Sequence, residues 1–244
     1  MDRGYVLHTY PYRETSLILQ AWTEKHGRLG LVAKGARRPK AASRSILVPF
    51  QPLEMDWFGR GELKTLKTAE PTAPATPLAG QALMSAFYMN ELLLKLTTRE
   101  DPHEGLFEAY DAAIAGLRAV SRARAGAIEP IQRRFELRLL QELGYAVELG
   151  RESGTHAPIV AEREYLYVVE RGPVPAPAGG DTPANAVRLS GLTLLDLERG
   201  RLEGAATIAQ AKQLMRLLIN HSLNGQELAT RAMVRDLQRL EGGS

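Results

Sequence analysis

The chain has 244 residues, a formal net charge of +3 at pH 7, and 44% hydrophobic and 24% charged residues, the composition of a soluble globular protein. It contains no cysteine, which excludes disulfides, thiolate metal sites and a cysteine nucleophile. No run approaches the roughly 18 apolar residues of a membrane span. The first residues lack the apolar segment of a signal peptide, so we expect a cytoplasmic protein without membrane contact.

Positive charge is concentrated in the first third of the chain. Residues 1–78 contain 12 Lys and Arg against 7 Asp and Glu, and the remainder is close to neutral. From Lys25 to Leu53 there are seven basic residues and no acidic one. A solvated loop that keeps the protein soluble would explain this run, and so would a surface that binds a polyanion such as nucleic acid.

Residues 5–10, 16–23, 28–33, 50–58 and 63–68 are predicted as β-strands because they are rich in β-forming residues and bounded by turn residues. The alternation of Leu53, Met55 and Trp57 with polar residues is the clearest of these patterns. Five short strands without a helix of similar length predict a small barrel. The OB-fold, a five-stranded barrel that binds single-stranded nucleic acid, and the SH3-like barrel both fit the pattern.

A proline-rich linker at residues 71–77 then separates two predicted domains, 1–77 and 78–244. The second has helical periodicity and contains a small irregular insert at about 150–188. There, residues 164–170 predict one strand, one hairpin is an open alternative, and the prolines and glycines of 173–183 argue against regular structure. The predicted class is therefore α+β, an N-terminal OB-fold barrel followed by an α-helical domain. Helices are expected at 78–98, 102–117, 127–143, 190–199, 206–223 and 229–240.

Catalytic motifs are absent from the sequence. It has no phosphate-binding glycine loop, and its five histidines do not have the spacing of metal ligands. Neither Ser43 nor Ser45, in the charged loop, has a base beside it. We therefore expect a protein that is not an enzyme and that needs no metal or cofactor.

Binding residues are better represented. Trp57 falls on the apolar phase of its strand and is expected in the core, whereas Phe58 is out of phase and available to stack on a base. Basic side chains that neutralise phosphates release counterions and make binding sensitive to salt. The predicted DNA-binding residues are Lys34, Arg37, Arg38, Lys40, Arg44, Phe58, Lys64 and Lys67.

A second basic group lies on the helix predicted at 127–143. Arg134 and Arg138 are four residues apart and share a helix face. They would hold an acidic peptide beside an apolar pocket formed by Ile131 and Phe135. A solvated helix face balanced by neighbouring glutamates is the simpler interpretation of the residues alone.

Several segments, in this order and spacing, resemble the RecO family of DNA repair and recombination mediators. The resemblance covers residues 5–150 well and the remainder loosely. The matching segments are Val-Leu-His at 6–8, Glu-Thr-Ser-Leu at 14–17, Val-Ala-Lys-Gly-Ala-Arg-Arg at 32–38, Pro-Phe-Gln-Pro-Leu at 49–53, Gly-Glu-Leu-Lys-Thr-Leu at 61–66, Tyr-Met-Asn-Glu-Leu-Leu at 88–93 and Arg-Arg-Phe-Glu at 133–136.

The resemblance implies a bacterial, nucleoid-associated protein that binds single-stranded and double-stranded DNA and anneals complementary strands. It also implies that the protein binds the acidic C-terminal tail of single-strand-binding protein (SSB) and, with RecR, helps to load RecA onto SSB-coated DNA. The segment that matches the tail-binding helix carries Arg133, Arg134, Ile131 and Phe135, with Arg133 the first choice to hold the tail's negative charge.

The chain departs from many members of that family in one respect. They carry a four-cysteine zinc module after the Gly-Tyr near residue 145, and this chain has no cysteine. An insert that keeps the shape of the module without metal and an unrelated loop are both compatible with the sequence. An OB-fold adaptor for acidic proteins, or an accessory factor in nucleic-acid processing, remains the alternative function.

Overall fold

The computed structural model describes residues 1–39, 41, 43–123, 128–145, 148–179 and 181–233. The elements in chain order are β1 (Asp2–Tyr12), β2 (Ser16–Thr23), β3 (Gly27–Ala33), α1 (Ser43–Ile46), β4 (Leu53–Phe58), β5 (Leu63–Pro71), α2 (Gly80–Leu96), α3 (Glu104–Ala123), α4 (Ile128–Glu142), β6 (Glu164–Val168), β7 (Gly172–Pro175), β8 (Ala186–Ser190), α5 (Gly191–Glu198) and α6 (Ala205–Ser222).

The first five strands form a closed barrel with the order β1-β2-β3-β5-β4, and β4 pairs back to β1. All pairs are antiparallel except β3 with β5, which run parallel. This connectivity is that of the OB-fold, so the predicted class and N-terminal barrel are confirmed. All five predicted strands are present, and β5 continues to Pro71.

The barrel interior is filled by alternate residues of its strands. Leu19 and Leu31 face each other on β2 and β3 and are 0% exposed. Met55 on β4 and Val6 on β1 belong to the same core cluster. Burial of each such side chain stabilises the fold by about 1.5–3 kcal/mol, and truncation of Leu31 to alanine would cost about 2–5 kcal/mol.

Packing divides the chain into two compact units. The first contains Met1–Gly126 and Leu228–Ser244, and the second contains Ala127–Glu227. Helices α2 and α3 therefore pack in the same unit as the barrel. The domain boundary at residue 77 stays a prediction about organisation along the chain.

In the first unit, α2 and α3 cover one part of the outer barrel surface. The Tyr5 ring of β1 meets the Tyr110 ring of α3 edge-on, with centroids 5.1 Å apart. The Arg28 guanidinium of β3 donates to the Thr97 carbonyl, at the end of α2, at 2.8 Å. Burial lowers the pKa of Arg28, and the neighbouring Arg99 lowers it further.

The second unit contains a three-stranded antiparallel sheet, β7-β6-β8, where an irregular insert was expected. The expectation that residues 173–183 lack regular structure is wrong for β7, which contains Pro173 and Pro175. The Pro173 carbonyl accepts a hydrogen bond from the Ser153 N–H at 2.7 Å, so its backbone faces away from β6. Proline is tolerated there because β7 is an edge strand and the missing N–H is not needed by the sheet.

The predicted helices are present within the described residues. Ser190 caps α5, since its side chain accepts a hydrogen bond from the Thr193 N–H at 3.2 Å. The helix expected at 229–240 is described only to residue 233, and that part is helical. The short α1 was not predicted. None of the described helices has the length and apolar character required to cross a membrane.

Candidate nucleic-acid interface

Arg37 fixes the basic loop after β3 against the turn between β1 and β2. Its backbone N–H donates to the Thr15 carbonyl at 2.8 Å, and its guanidinium donates to the Arg13 carbonyl at 3.3 Å. The Arg38 N–H donates to the Gly35 carbonyl at 3.1 Å. These bonds give the first part of the loop a defined conformation, which places its charges on the barrel surface.

Arg13 is absent from the sequence-predicted candidates, yet it lies beside them. Its backbone has φ +49°, and its guanidinium lies 5.1 Å from the Tyr12 ring centroid. A non-glycine residue in this region costs about 1–3 kcal/mol and persists only where its surroundings fix it, as the bond from Arg37 does here. A carbonyl contact of this kind leaves no signal in the sequence.

Four exposed cations share this surface, and we call them the basic cluster: Arg13, Lys34, Arg37 and Arg38. Within the described part of the chain, none of them forms an ion pair with a carboxylate. Their charges are therefore available to an anion, and their mutual repulsion falls when one binds.

The two other basic candidates of the loop lie farther along the chain. Arg44 is exposed on α1, and its N–H donates to the Ala41 carbonyl at 3.1 Å. Lys40 lies outside the described residues. Arg44 therefore stays a candidate without a described link to the basic cluster.

The predicted DNA-binding residues on β4 and β5 differ in how free their side chains are to contact DNA. Phe58 is 58% exposed, as its position out of the apolar phase predicted, and Trp57 packs against the barrel core. The Lys64 ammonium is bound by Glu100 at 2.5 Å with only 12% of its side chain exposed. Lys67 pairs with Asp56 at 2.9 Å, and its hydrogen bond lowers the pKa of that carboxyl. The positive charge of each lysine is therefore already partly neutralised by a carboxylate.

The α4 helix places Arg133 in a buried position. Arg133 is 5% exposed, and its Nη1 lies 3.1 Å from Oε2 of Glu136, which is 1% exposed. Among the described residues, no partner is present for the Arg133 Nε. A buried ion pair of this kind has a large desolvation cost, and removal of one partner leaves the other charge uncompensated.

The other three residues of the predicted tail-binding site differ in their exposure. Phe135 is 1% exposed, whereas Ile131 is half-buried and Arg134 is exposed. The Arg134 Nε lies 3.5 Å from the Gly200 carbonyl. Of the four predicted residues, only Arg134 and Ile131 are accessible, and the tail-binding role of all four stays a prediction.

Sequence models of two domains match nearly the whole chain. The model described as Recombination protein O N terminal matches residues 1–75, and that described as Recombination protein O C terminal matches residues 78–232. The chain belongs to the RecO family. Its function is therefore in DNA repair and recombination, and the two matched RecO segments meet beside the predicted boundary at residue 77.

Curated RecO proteins are similar over almost the full length. DNA repair protein RecO of Aromatoleum aromaticum is 49% identical over 97% of this chain and 95% of its own. RecO of Azoarcus sp. (strain BH72) is 48% identical over 97% and 96%, and RecO of Nitrosospira multiformis is 45% identical over 97% and 95%. The resemblance inferred from scattered segments is confirmed by these comparisons.

In this RecO chain, one buried carboxylate organises the segment that follows Gly144-Tyr145. Glu152, 6% exposed, accepts hydrogen bonds from the Thr155 hydroxyl at 2.9 Å and the Tyr165 hydroxyl at 3.3 Å. The Tyr165 hydroxyl in turn accepts from the Val160 N–H at 3.0 Å. Hydrogen bonds to Glu152 thus hold a loop in a chain without cysteine. Among the described residues, no group of three or more His, Asp or Glu is placed to hold a metal ion.

A cavity of about 180 Å³ in the first unit of this RecO chain lies beside Arg3, Tyr5 and Arg118. The Tyr5 hydroxyl donates to Asp111, and burial together with this bond raises the pKa of Tyr5. Arg3 also contacts Asp111, at 3.4 Å, and Arg118 donates to the Phe50 carbonyl. Two of the charged groups at the cavity, Arg3 and Asp111, thus pair with each other, and Arg118 is held by a backbone carbonyl.

Proposed function

We propose that the chain is a recombination mediator that binds single-stranded DNA through its basic cluster and anneals complementary strands. The observation that carries the proposal is the basic cluster itself, four exposed cations brought together by the β1–β2 turn and the loop after β3. Loops of the OB-fold frame its nucleic-acid-binding face. Counterion release on contact with phosphates supplies the affinity, and the same surface would bind double-stranded DNA through its backbone.

The proposal extends to protein partners. The accessible charge of Arg134 beside the half-buried Ile131 supports contact of α4 with the acidic C-terminal tail of SSB. Arg133 and Phe135 would then support that surface from beneath. Together with RecR, the protein would load RecA onto SSB-coated DNA at the bacterial nucleoid, acting by binding and not by catalysis.

Binding to a labelled single strand over a range of salt concentrations tests the DNA part. We expect the logarithm of the affinity to fall linearly with the logarithm of salt concentration, by about 0.7 for each phosphate contact. Charge reversal of Arg37 and Arg38 together should weaken binding and reduce this slope. Annealing of complementary strands should need no nucleotide and should fail at high salt and in the same variant.

The outcomes separate the proposal from its alternatives. DNA binding that is unchanged by reversal of Arg37 and Arg38 would remove the basic cluster from the interface. Absence of DNA binding, with retained binding of acidic proteins, would favour the adaptor function. DNA binding without annealing or RecA loading would favour an accessory factor in nucleic-acid processing.

The SSB part needs its own variants. Arg134→Glu should weaken binding of an acidic tail peptide and leave binding to bare DNA unchanged, because Arg134 lies on α4 of the second unit. Equal loss of peptide and DNA would indicate one shared surface. Assembly of RecA on SSB-coated single strands, with and without RecR, tests the mediator role.

A further inference from the structure

One row of residues crosses all five strands on the outside of the barrel. The strand register pairs Tyr10 with Ile18, Ile18 with Val32, Val32 with Thr65, and Thr65 with Phe58. We call these five residues the transverse row. Since paired residues of neighbouring strands point to the same side of a sheet, the row forms one continuous strip.

The strip faces outward. Its two ends are aromatic and open, with Tyr10 47% exposed and Phe58 58% exposed. The three residues between them are half-buried and β-branched. Their chain neighbours Leu19, Leu31 and Leu66 instead belong to the barrel core or pack against it, as strand alternation requires.

The two flanks of the transverse row differ in character. On one flank, Arg13 follows Tyr10 by three residues and Lys34 follows Val32 by two, so the basic cluster begins there. On the other flank, Gly30 pairs with Leu63, whose side chain is 43% exposed. The positive charge of the first flank attracts the phosphates of a bound single strand. The bases of that strand then lie over the strip beside it.

The two exposed rings lie at opposite ends of the row, and an exposed aromatic ring offers a flat face on which a base can stack. The His8 ring lies against the Tyr10 ring edge-on, 4.5 Å between centroids, and supports its orientation. Neighbouring strands are about 4.8 Å apart, so the four strand intervals place Tyr10 and Phe58 roughly 19 Å apart along the surface. This distance is too great for a single base.

We infer that Tyr10 and Phe58 stack on two different bases of one single strand, which crosses the barrel along the transverse row. This inference rests on the proposed binding of single-stranded DNA and adds to it the path of the strand and the two base contacts. The bases lie over the apolar strip, and the backbone follows the basic cluster. Stacking on a ring does not depend on base identity, so recognition is general and not sequence-specific.

The test uses the full chain and two labelled oligonucleotides of about 15 nucleotides, at the upper end of OB-fold site sizes. One is oligothymidylate, and the other has the same backbone with abasic residues. Tyr10→Ala and Phe58→Ala should each weaken oligothymidylate binding about 5- to 150-fold. The salt dependence and the affinity for the abasic strand should not change, because the phosphate contacts are intact.

Two controls keep an aromatic ring at each position, and a third removes an exposed ring outside the transverse row. Tyr10→Phe and Phe58→Tyr should bind oligothymidylate within about twofold of the parent, since either ring stacks. Tyr145→Ala removes an aromatic side chain that is 38% exposed in the second unit, and it should bind as the parent does.

Three results would overturn the inference. Unchanged oligothymidylate binding by both alanine variants would show that the rings do not contact bases. Equal losses on the abasic and normal strands would show that the substitutions act on the phosphate surface or on the fold. If the unaltered protein does not bind oligothymidylate even at low salt, the proposed function itself fails, and the transverse row loses its ligand with it.

Discussion

Asn90 and Tyr110 form a buried polar link between helices α2 and α3. The Tyr110 hydroxyl donates to Asn90 Oδ1 at 2.6 Å, and Asn90 Nδ2 donates to the Leu7 carbonyl of β1 at 2.9 Å. Burial raises the pKa of Tyr110 well above its ordinary value, so the hydroxyl stays a donor. One amide therefore joins the barrel to both helices.

Replacement of this amide should destabilise the first unit strongly. Asn90→Ala removes two buried hydrogen bonds and leaves the Leu7 carbonyl without its donor, so we expect a loss of about 2–4 kcal/mol in unfolding free energy. Tyr110→Phe should cost about 1–2 kcal/mol. Urea unfolding followed by tryptophan fluorescence measures this, because both tryptophans of the chain, Trp22 and Trp57, are in the barrel.

A matched control lies on the same helix. Gln81 is exposed on α2, and Gln81→Ala should change the unfolding free energy by no more than about 0.5 kcal/mol. Additive effects of Asn90→Ala and Tyr110→Phe in the double variant would contradict a direct bond between the two side chains.

Gly27 should not tolerate a side chain. It has φ +64°, and a Cβ there would lie 2.1 Å from the Asp101 carbonyl oxygen, in the loop between α2 and α3. Gly27→Ala combines strain with a backbone clash and should cost about 3 kcal/mol or more. Gly80→Ala isolates the strain, since Gly80 has φ +54° with no atom within 4 Å, and should cost about 1–2 kcal/mol. Equal losses in the two variants would argue against the contact with Asp101.

The carboxylate of Glu91 holds the last described segment of the chain. It accepts hydrogen bonds from the Ala229 and Thr230 N–H groups at 2.8 and 2.9 Å. Burial acts to raise the pKa of Glu91, but these bonds and the nearby Lys95 together lower it below its ordinary value. The stabilisation is therefore complete above the ordinary pKa of a glutamate and is lost as the pH falls through the lowered pKa.

Amide hydrogen exchange at Ala229 and Thr230 measures this effect. Protection of both amides should fall as the solution is acidified, and Glu91→Gln should reduce protection at neutral pH and remove most of its dependence on pH. Glu227→Gln, an exposed substitution just before the segment, should leave the profile unchanged. A pH profile in Glu91→Gln that matches the parent would exclude Glu91 as the titrating group.

Because Arg133 and Glu136 form a buried ion pair on α4, we expect a single substitution to lower the unfolding free energy more than the double substitution does. Arg133→Met removes the cation paired with the buried Glu136 carboxylate and should destabilise the protein by about 3–5 kcal/mol. Arg133→Met with Glu136→Leu should recover most of this loss. Arg134→Met, the exposed neighbour, should stay within about 0.5 kcal/mol. Urea unfolding followed by far-ultraviolet circular dichroism checks all three, and a double variant as unstable as Arg133→Met would contradict the pair.

The salt dependence of DNA binding should separate free from neutralised cations. Arg38→Gln removes an unpaired charge of the basic cluster and should reduce the salt slope by about 0.7. Lys64→Gln should change the slope little, because Glu100 already binds that ammonium. A larger effect of Lys64→Gln than of Arg38→Gln would mean that DNA displaces Glu100 and that the interface extends to β5.

The barrel and most helices could be predicted because their signals are local. Strand alternation around Met55 and the turn residues between strands define the five strands, and helical spacing defines α2 to α6. The burial of Arg133 also has a local signal in the sequence. Leu137 and Leu140 follow it by four and seven residues and place it on a buried helix face.

Contacts between distant segments could not be predicted in the same way. The transverse row depends on strand register, which barrel closure sets and no single strand contains. The link from Arg37 to the Arg13 carbonyl joins two loops through backbone atoms that every residue has. Likewise, nothing near Glu91 in the sequence indicates that it binds residues 229 and 230.

The return of residues 228–233 to the first unit has a consequence for synthesis. Glu91 emerges from the ribosome long before Ala229 and Thr230, and the whole second unit, Ala127–Glu227, is made between them. The second unit therefore has all of its residues available while the first still lacks a segment. The first unit is therefore completed after the second, and the Glu91 carboxylate receives these hydrogen bonds only after residues 229 and 230 have been made.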